Sequence, residues 1–479
     1  MNTFPLELAQ PRFNGAALPP LRLTSRRSLA HMVALSLVWA AVASGAIVFT
    51  EPAPVDILTI GLIILLPLMG LVAIKPGLVV FLSIWLAAAA AAFAASAFSN
   101  DVARSSIHSG ISVYLYLATF VFAAFVARKP VGHARLVLHA YQWAAFVAAL
   151  AGVAGYFGLF PGAGELFTKF GRATGTFKDP NVYGPFLIPA LLYALHQCLT
   201  RPLHRIAVSA TMVLFLGFAV LLSFSRGAWF NLAVAVAIYG YCSFICAPTN
   251  RQRLKMIALG LVGAAMLAGA LLAATQIDAV GKLLEERAQL SQSYDEGPEG
   301  RFGGHEKAKG LILDNPLGIG AGTFTEVHHH EDVHNVYLSM FLNAGWLGGL
   351  VFILMCGLTT LYGLRHAFKR TASQSLFLIA FAAFVGNVVE GFVIDVDHWR
   401  HFYLLMALVW GLMLGDRRVA TLKAAPSRPA KIKTPMMIIP ARRAPRIVGR
   451  ARVRLTPLPA PAQRRATLRP RLPNRIGRS

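Results

Sequence analysis

Charge is what this sequence has least of. Only 14% of its 479 residues are Asp, Glu, Lys or Arg, against 56% hydrophobic residues. Soluble domains carry about a quarter charged residues, so that class is excluded. Acid is scarcer than base, with 21 Asp and Glu to 45 Lys and Arg. Cysteine is almost missing. Cys198, Cys242, Cys246 and Cys356 all fall in apolar runs, which excludes a disulfide framework and a cysteine metal site. No internal repeat is visible, and no pair of broken helices. Those would be the signs of a secondary transporter. No cleavable leader is evident, and Arg26-Arg27 before Leu29 reads as the inner flank of an uncleaved first helix. No paired carboxylates have hydrolase-like placement, which argues against glycan hydrolysis.

What the chain does have is apolar runs of about 20 residues, enough to cross a hydrocarbon core of roughly 30 Å. Lipid offers no hydrogen bonds to the backbone, so such runs are helices. Twelve spans are read: 29–49, 55–74, 78–98, 109–127, 136–159, 182–198, 206–224, 228–247, 256–275, 336–362, 374–395 and 401–415. The predicted fold is all-α, a polytopic integral membrane protein of about 12 transmembrane helices with one large periplasmic loop.

Lys and Arg set the orientation. With the N-terminus inside, inner segments hold 16 of them, the tail 18 and outer segments 11, while 19 of 21 acids lie outside. The chain then divides into a cytoplasmic segment 1–28, spans 29–275, a periplasmic loop 276–335, spans 336–415 and a cytoplasmic tail 416–479. The tail is Arg- and Pro-rich, and is expected to be disordered and held by anionic lipid. It lacks interleaved aromatics, so no nucleic-acid partner is expected. In the large loop, 279–290 reads as a surface amphipathic helix, 291–300 as turns and 301–313 as a short helix stopped by Asn315-Pro316.

Three spans are predicted to begin at the outer face with polar residues. Asp179-Pro180-Asn181 opens the sixth, Ser225-Arg226-Gly227 the eighth and His334-Asn335 the tenth. Asp179 and Ser225 suit N-caps. Helix N-termini favour anions, and Arg172, Lys178, Arg226 and Arg301 stand near them. That set predicts a basic pocket for a lipid-linked phosphate or diphosphate, which arginine grips through two parallel bonds. Plainer readings stand beside it. Arg226 snorkels to the interface, Arg172 pairs with Glu165 or Asp179, and Glu390, Asp395, Asp397, His398 and Arg400 form a buried network. His330 to His334 also spells H-E-x-x-H, a zinc protease pattern that requires a helix and a third ligand.

The segments GRATGTFKDPN, FSRGAW, GRFGGH, DNPLGIGAG and HNVYLSMFLNAGWLGG occur in this order over roughly 165–350. In this the chain resembles the bacterial O-antigen ligase and O-antigen polymerase superfamily. The resemblance implies glycan transfer from undecaprenyl diphosphate to an acceptor hydroxyl at the periplasmic face of the inner membrane. The acceptor would be lipid A-core or a growing polysaccharide; repeat-unit polymerisation is the alternative. Arg226, Arg301 and His334 match the family's essential arginines and histidine, and Arg172 a further basic position. Lys178, Asp179, Asn181, Ser225, His305 and Asn335 are expected around the substrate. His305 departs from the family, which often carries tryptophan there. Arginine would stabilise the leaving diphosphate and His334 would receive the acceptor's proton, so no metal or other cofactor is expected.

Overall fold

The computed structural model describes residues 24–274, 276, 297 and 300–423. All of them belong to one compact unit. The expected helix 279–290, most of the turn segment 291–300 and nearly all of the basic tail lie outside the described residues, as do residues 1–23.

Every predicted span overlaps a helix. The first five are α1 (Thr24–Ala43), α2 (Pro54–Leu68), α3 (Pro76–Ser96), α4 (Val102–Arg128) and α5 (Pro130–Tyr156). After a one-turn α6 (Ala163–Phe167) come α7 (Pro180–Thr200), α8 (Leu203–Leu222), α9 (Arg226–Cys246) and α10 (Asn250–Ala274). The short α11 (Arg301–Asp314) precedes α12 (Val336–Ala367), α13 (Gln374–Glu390) and α14 (Arg400–Lys423). Proline opens α2, α3, α5 and α7, where its missing N–H costs nothing. The chain is an all-α, multi-pass membrane protein. Among the described residues seven helices are long and apolar enough to cross a membrane, and three shorter ones are apolar.

Side-chain exposure tells the same story. Ile57, Ile60, Ile64 and Leu68 of α2 are exposed, as are Leu254, Ile257, Leu261 and Val262 of α10. Apolar faces of that extent suit hydrocarbon and not water. Inside, the closest helix pairs are α4 with α14, α3 with α12, α9 with α13 and α7 with α8. Alanine makes such approaches possible: Ala88, Ala89, Ala92 and Ala95 line the buried side of α3. Arg400 clamps Asp56 through two bonds of 2.7 and 2.8 Å, tying α14 to α2.

Some helices run past the expected span ends. α4 starts at Val102 and not near 109, capped by Asp101, which accepts the Arg104 N–H at 3.0 Å. Its first turns carry Arg104, Ser105 and His108, polar residues that hydropathy reads as loop.

One kink organises the H-N-x9-G-x2-G stretch. Gly345 breaks helical geometry inside α12 at φ 64°, ψ −172°. The break admits the 316–320 loop. Trp346 N–H donates to the Pro316 carbonyl at 2.9 Å, and Ile319 N–H to the Leu342 carbonyl at 2.8 Å. A Cβ on Gly345 would stand 2.6 Å from the Leu317 carbonyl carbon. One on Gly318 (φ 84°) would stand 2.6 Å from the Gly345 nitrogen. The two glycines therefore let backbone meet backbone.

Candidate functional site

A cavity of about 610 Å³ opens where α7, α9, α11 and α12 begin. Four chain segments, with Arg301 and His305 of α11 and Glu390 at the end of α13, supply its polar lining.

The first is a two-stranded ribbon, β1 (Thr168–Lys169) and β2 (Arg172–Ala173), joined by Phe170 and Gly171. Both turn residues have positive φ, 53° and 68°, as a two-residue hairpin turn requires. The hairpin sends Arg172 inward, where it is 8% exposed. Its Nε donates to the Ser223 carbonyl at 2.8 Å and its Nη2 to Asn181 Oδ1 at 2.7 Å. Neither Glu165 nor Asp179 is among these partners.

The second and third are helix starts. Asp179 caps α7 by accepting the Asn181 N–H at 2.7 Å. Ser225 caps α9 by accepting the Ala228 N–H at 3.3 Å, which makes Arg226 the first helical residue. Behind them Glu390 is fully buried, and accepts from Asn231 Nδ2 at 2.7 Å.

The fourth is the entry to α12. Asn335 caps it, accepting from the N–H groups of Tyr337 and Leu338 at 3.1 and 3.3 Å. His334, just before, has φ 51°, a backbone value uncommon outside glycine. Such a conformation costs on the order of 1–3 kcal/mol and persists only where the surroundings hold it. They do so here. Its carbonyl lies 3.5 Å from Arg301 Nη2. On either side, Val336 N–H donates to the Gly391 carbonyl at 2.9 Å and His305 Nε2 donates to the Val333 carbonyl at 2.8 Å. Arg301, first residue of α11, also donates to the Val393 carbonyl.

Among the described residues the charged lining is Arg172, Arg226 and Arg301 with Glu331 and the buried Glu390, a balance that favours anions. Four helix N-termini add their partial positive charge. His334 is held neutral further into the acid range than an ordinary histidine. Burial is the main cause and the Arg301 charge adds to it, while Asp332, Glu331 and Asp179 pull the other way. Burial also lowers His305.

Seven residues singled out from the sequence line this one cavity: Arg172, Asn181, Ser225, Arg226, Arg301, His305 and His334. Three do not. Asn335 spends its side chain on the α12 cap. Lys178 and Asp179 line a neighbouring apolar cavity of about 290 Å³, and Lys178 Nζ lies 3.8 Å from Glu51. The sequence missed Phe224, Phe230 and Phe392 in the lining. The H-E-x-x-H residues 330–334 are not helical, so His330 and His334 do not share a helix face as the zinc protease pattern requires.

Residues 211–353 match the family model described as O-antigen ligase. That segment contains Ser225, Arg226, Arg301, His305, His334 and Asn335, while Arg172, Lys178, Asp179 and Asn181 precede it. No curated protein matches the chain.

Proposed function

We propose that this multi-pass membrane protein, carrying an O-antigen ligase segment, transfers a glycan from undecaprenyl diphosphate to an acceptor hydroxyl at the periplasmic face of the inner membrane. The observation that carries the proposal is the convergence of Arg172, Arg226, Arg301 and His334 on one cavity built from helix N-termini.

Each part has a task in that reaction. The acceptor oxygen attacks the anomeric carbon as the bond to the lipid diphosphate breaks. Negative charge then grows on the diphosphate, and Arg226 and Arg301 stabilise it from fixed positions. Arg172, locked by Ser223 and Asn181, holds the phosphate end of the donor. Neutral His334 takes the acceptor's proton. The exposed rings of Phe170 and Phe230 at the rim suit the lipid or the sugar face. Lipid A-core is the acceptor in the ligase reading, and a growing polysaccharide in the polymerase reading.

The test is transfer of labelled glycan from its undecaprenyl diphosphate carrier in isolated membranes, with lipid A-core or lipid-linked repeat units as acceptor. Transfer that His334→Ala abolishes at unchanged protein level is expected. Undiminished transfer by the His334→Ala variant would overturn the proposal.

A further inference from the structure

Away from the arginine cavity, α4 and the connection 391–399 bring two histidines and an aspartate together. Ligand atoms of His108, Asp397 and His398 all lie within 4.8 Å of one another. His108 Nε2 stands 3.5 Å from Asp397 Oδ2. The two imidazoles face each other with ring centroids 3.9 Å apart and planes 29° apart. Ser112 Oγ, one turn along α4, lies 3.0 Å from His398 Nε2 and orients that ring.

We propose that His108, Asp397 and His398 form a binding site for a divalent metal ion of the zinc class. Tetrahedral zinc with bonds of about 2.0–2.1 Å sets neighbouring donors roughly 3.4 Å apart, which matches the His108–Asp397 spacing. Two imidazoles and one carboxylate are the borderline donor set that zinc takes, with a fourth position left for water. Arg400 is a nearby positive charge, and Asp56 binds it through two bonds. His108 and Asp397 line a polar cavity of about 250 Å³ that also holds Asp332 and Asp395, with Arg104 as its one arginine. Arg104 is itself bonded to Glu326. A path for the ion exists, because the His108 side chain is 30% exposed.

The ion's place in the fold gives it a bracing role. The connection 391–399 carries the Gly391 carbonyl that accepts the Val336 N–H at 2.9 Å, the Val393 carbonyl that Arg301 grips, and Asp395, which accepts from Ser339 Oγ at 2.5 Å. An ion joining His398 and Asp397 to His108 fastens that connection to α4. It touches none of the reacting groups, and the site stands whether or not the transfer reaction is as proposed.

The test uses the full chain in detergent, freed of its affinity tag and of metal, then titrated with zinc and desalted. One zinc per chain is expected by mass spectrometry of the metal, with a raised thermal midpoint. His108→Ala and Asp397→Asn should each weaken zinc binding more than about tenfold, at least the loss that follows removal of a supporting partner. His330→Ala should bind as the parent does. Thermal midpoints without zinc show whether the variants fold, and His398→Gln replaces either one that does not. Retention of zinc by all the cluster variants, its loss in His330→Ala, or no stoichiometric zinc in the parent would overturn the site.

Discussion

The Arg301 guanidinium stands 3.5 Å from the His334 carbonyl oxygen, which ties the start of α11 to the approach to α12. The same guanidinium holds Val393. A single side chain therefore ties the start of α11 both to the His334 backbone and to the connection after α13.

Arg226→Ala and Arg301→Ala should each lower glycan transfer by about 100- to 1,000-fold, the loss seen when one transition-state donor is removed. Lysine at either position should restore little, since it offers a point charge and not a fork. Transfer rates in membranes, corrected for protein level by immunoblot, decide it. Full activity in both alanine variants would remove the arginines from the reaction.

The pH dependence has a definite sign. Transfer that needs a neutral His334 falls as pH drops through its pKa. Burial and the Arg301 charge place that pKa below the ordinary 6.5, so the acid limb should lie below it too. Glu331 opposes this shift. Glu331→Gln should therefore keep substantial transfer and move the acid limb to still lower pH. A zinc protease would instead lose turnover with its general base. A pH–rate profile of parent and variant reads both outcomes.

Gly345→Ala tests the kink. The left-handed conformation and the overlap with the Leu317 carbonyl together should cost on the order of 3 kcal/mol. A lowered thermal midpoint in detergent is expected. An unchanged midpoint would mean the loop 316–320 is free to withdraw.

Topology can be read by labelling. Single cysteines at Lys169 and Asn250, in a chain without its native cysteines, are both exposed. An impermeant thiol reagent should label the first in intact spheroplasts and spare the second. Labelling at 250 would reverse the orientation drawn from the charge bias.

The sequence marked the polar residues of the cavity better than its walls. Arg226 and His334 stand beside helix starts with local signatures such as Ser225 and Asn335, but it was the family resemblance that singled them out together with Arg301 of the GRFGGH segment. The partners that hold them were not legible. Gly391 reaches Val336 and Asp395 reaches Ser339 from more than fifty residues away, and nothing local marks them. Lys178 looked like a phosphate ligand because it precedes Asp179, but Glu51 draws it to another cavity. Ser105 read as a loop residue. It is fully buried in α4, within 3.0 Å of Ser96 Oγ, because the helix projects past its own apolar run.

Gly345 also turns a motif into a ruler. From Asn335 to Gly345 is ten helical steps, a rise of roughly 15 Å. The loop 316–320 docks at that depth, and α11 ends one residue before the loop's Asn315 cap. Arg301 and His334 are thus two ends of a closed frame, whose sides are α11, the docked loop and the first turns of α12. Adding one residue between Asn335 and Gly345 would swing the kink by about 100° around the helix axis and point it away from the loop. The number of residues in the motif is therefore both a length and an angle, and it sets where the histidine stands relative to the arginine.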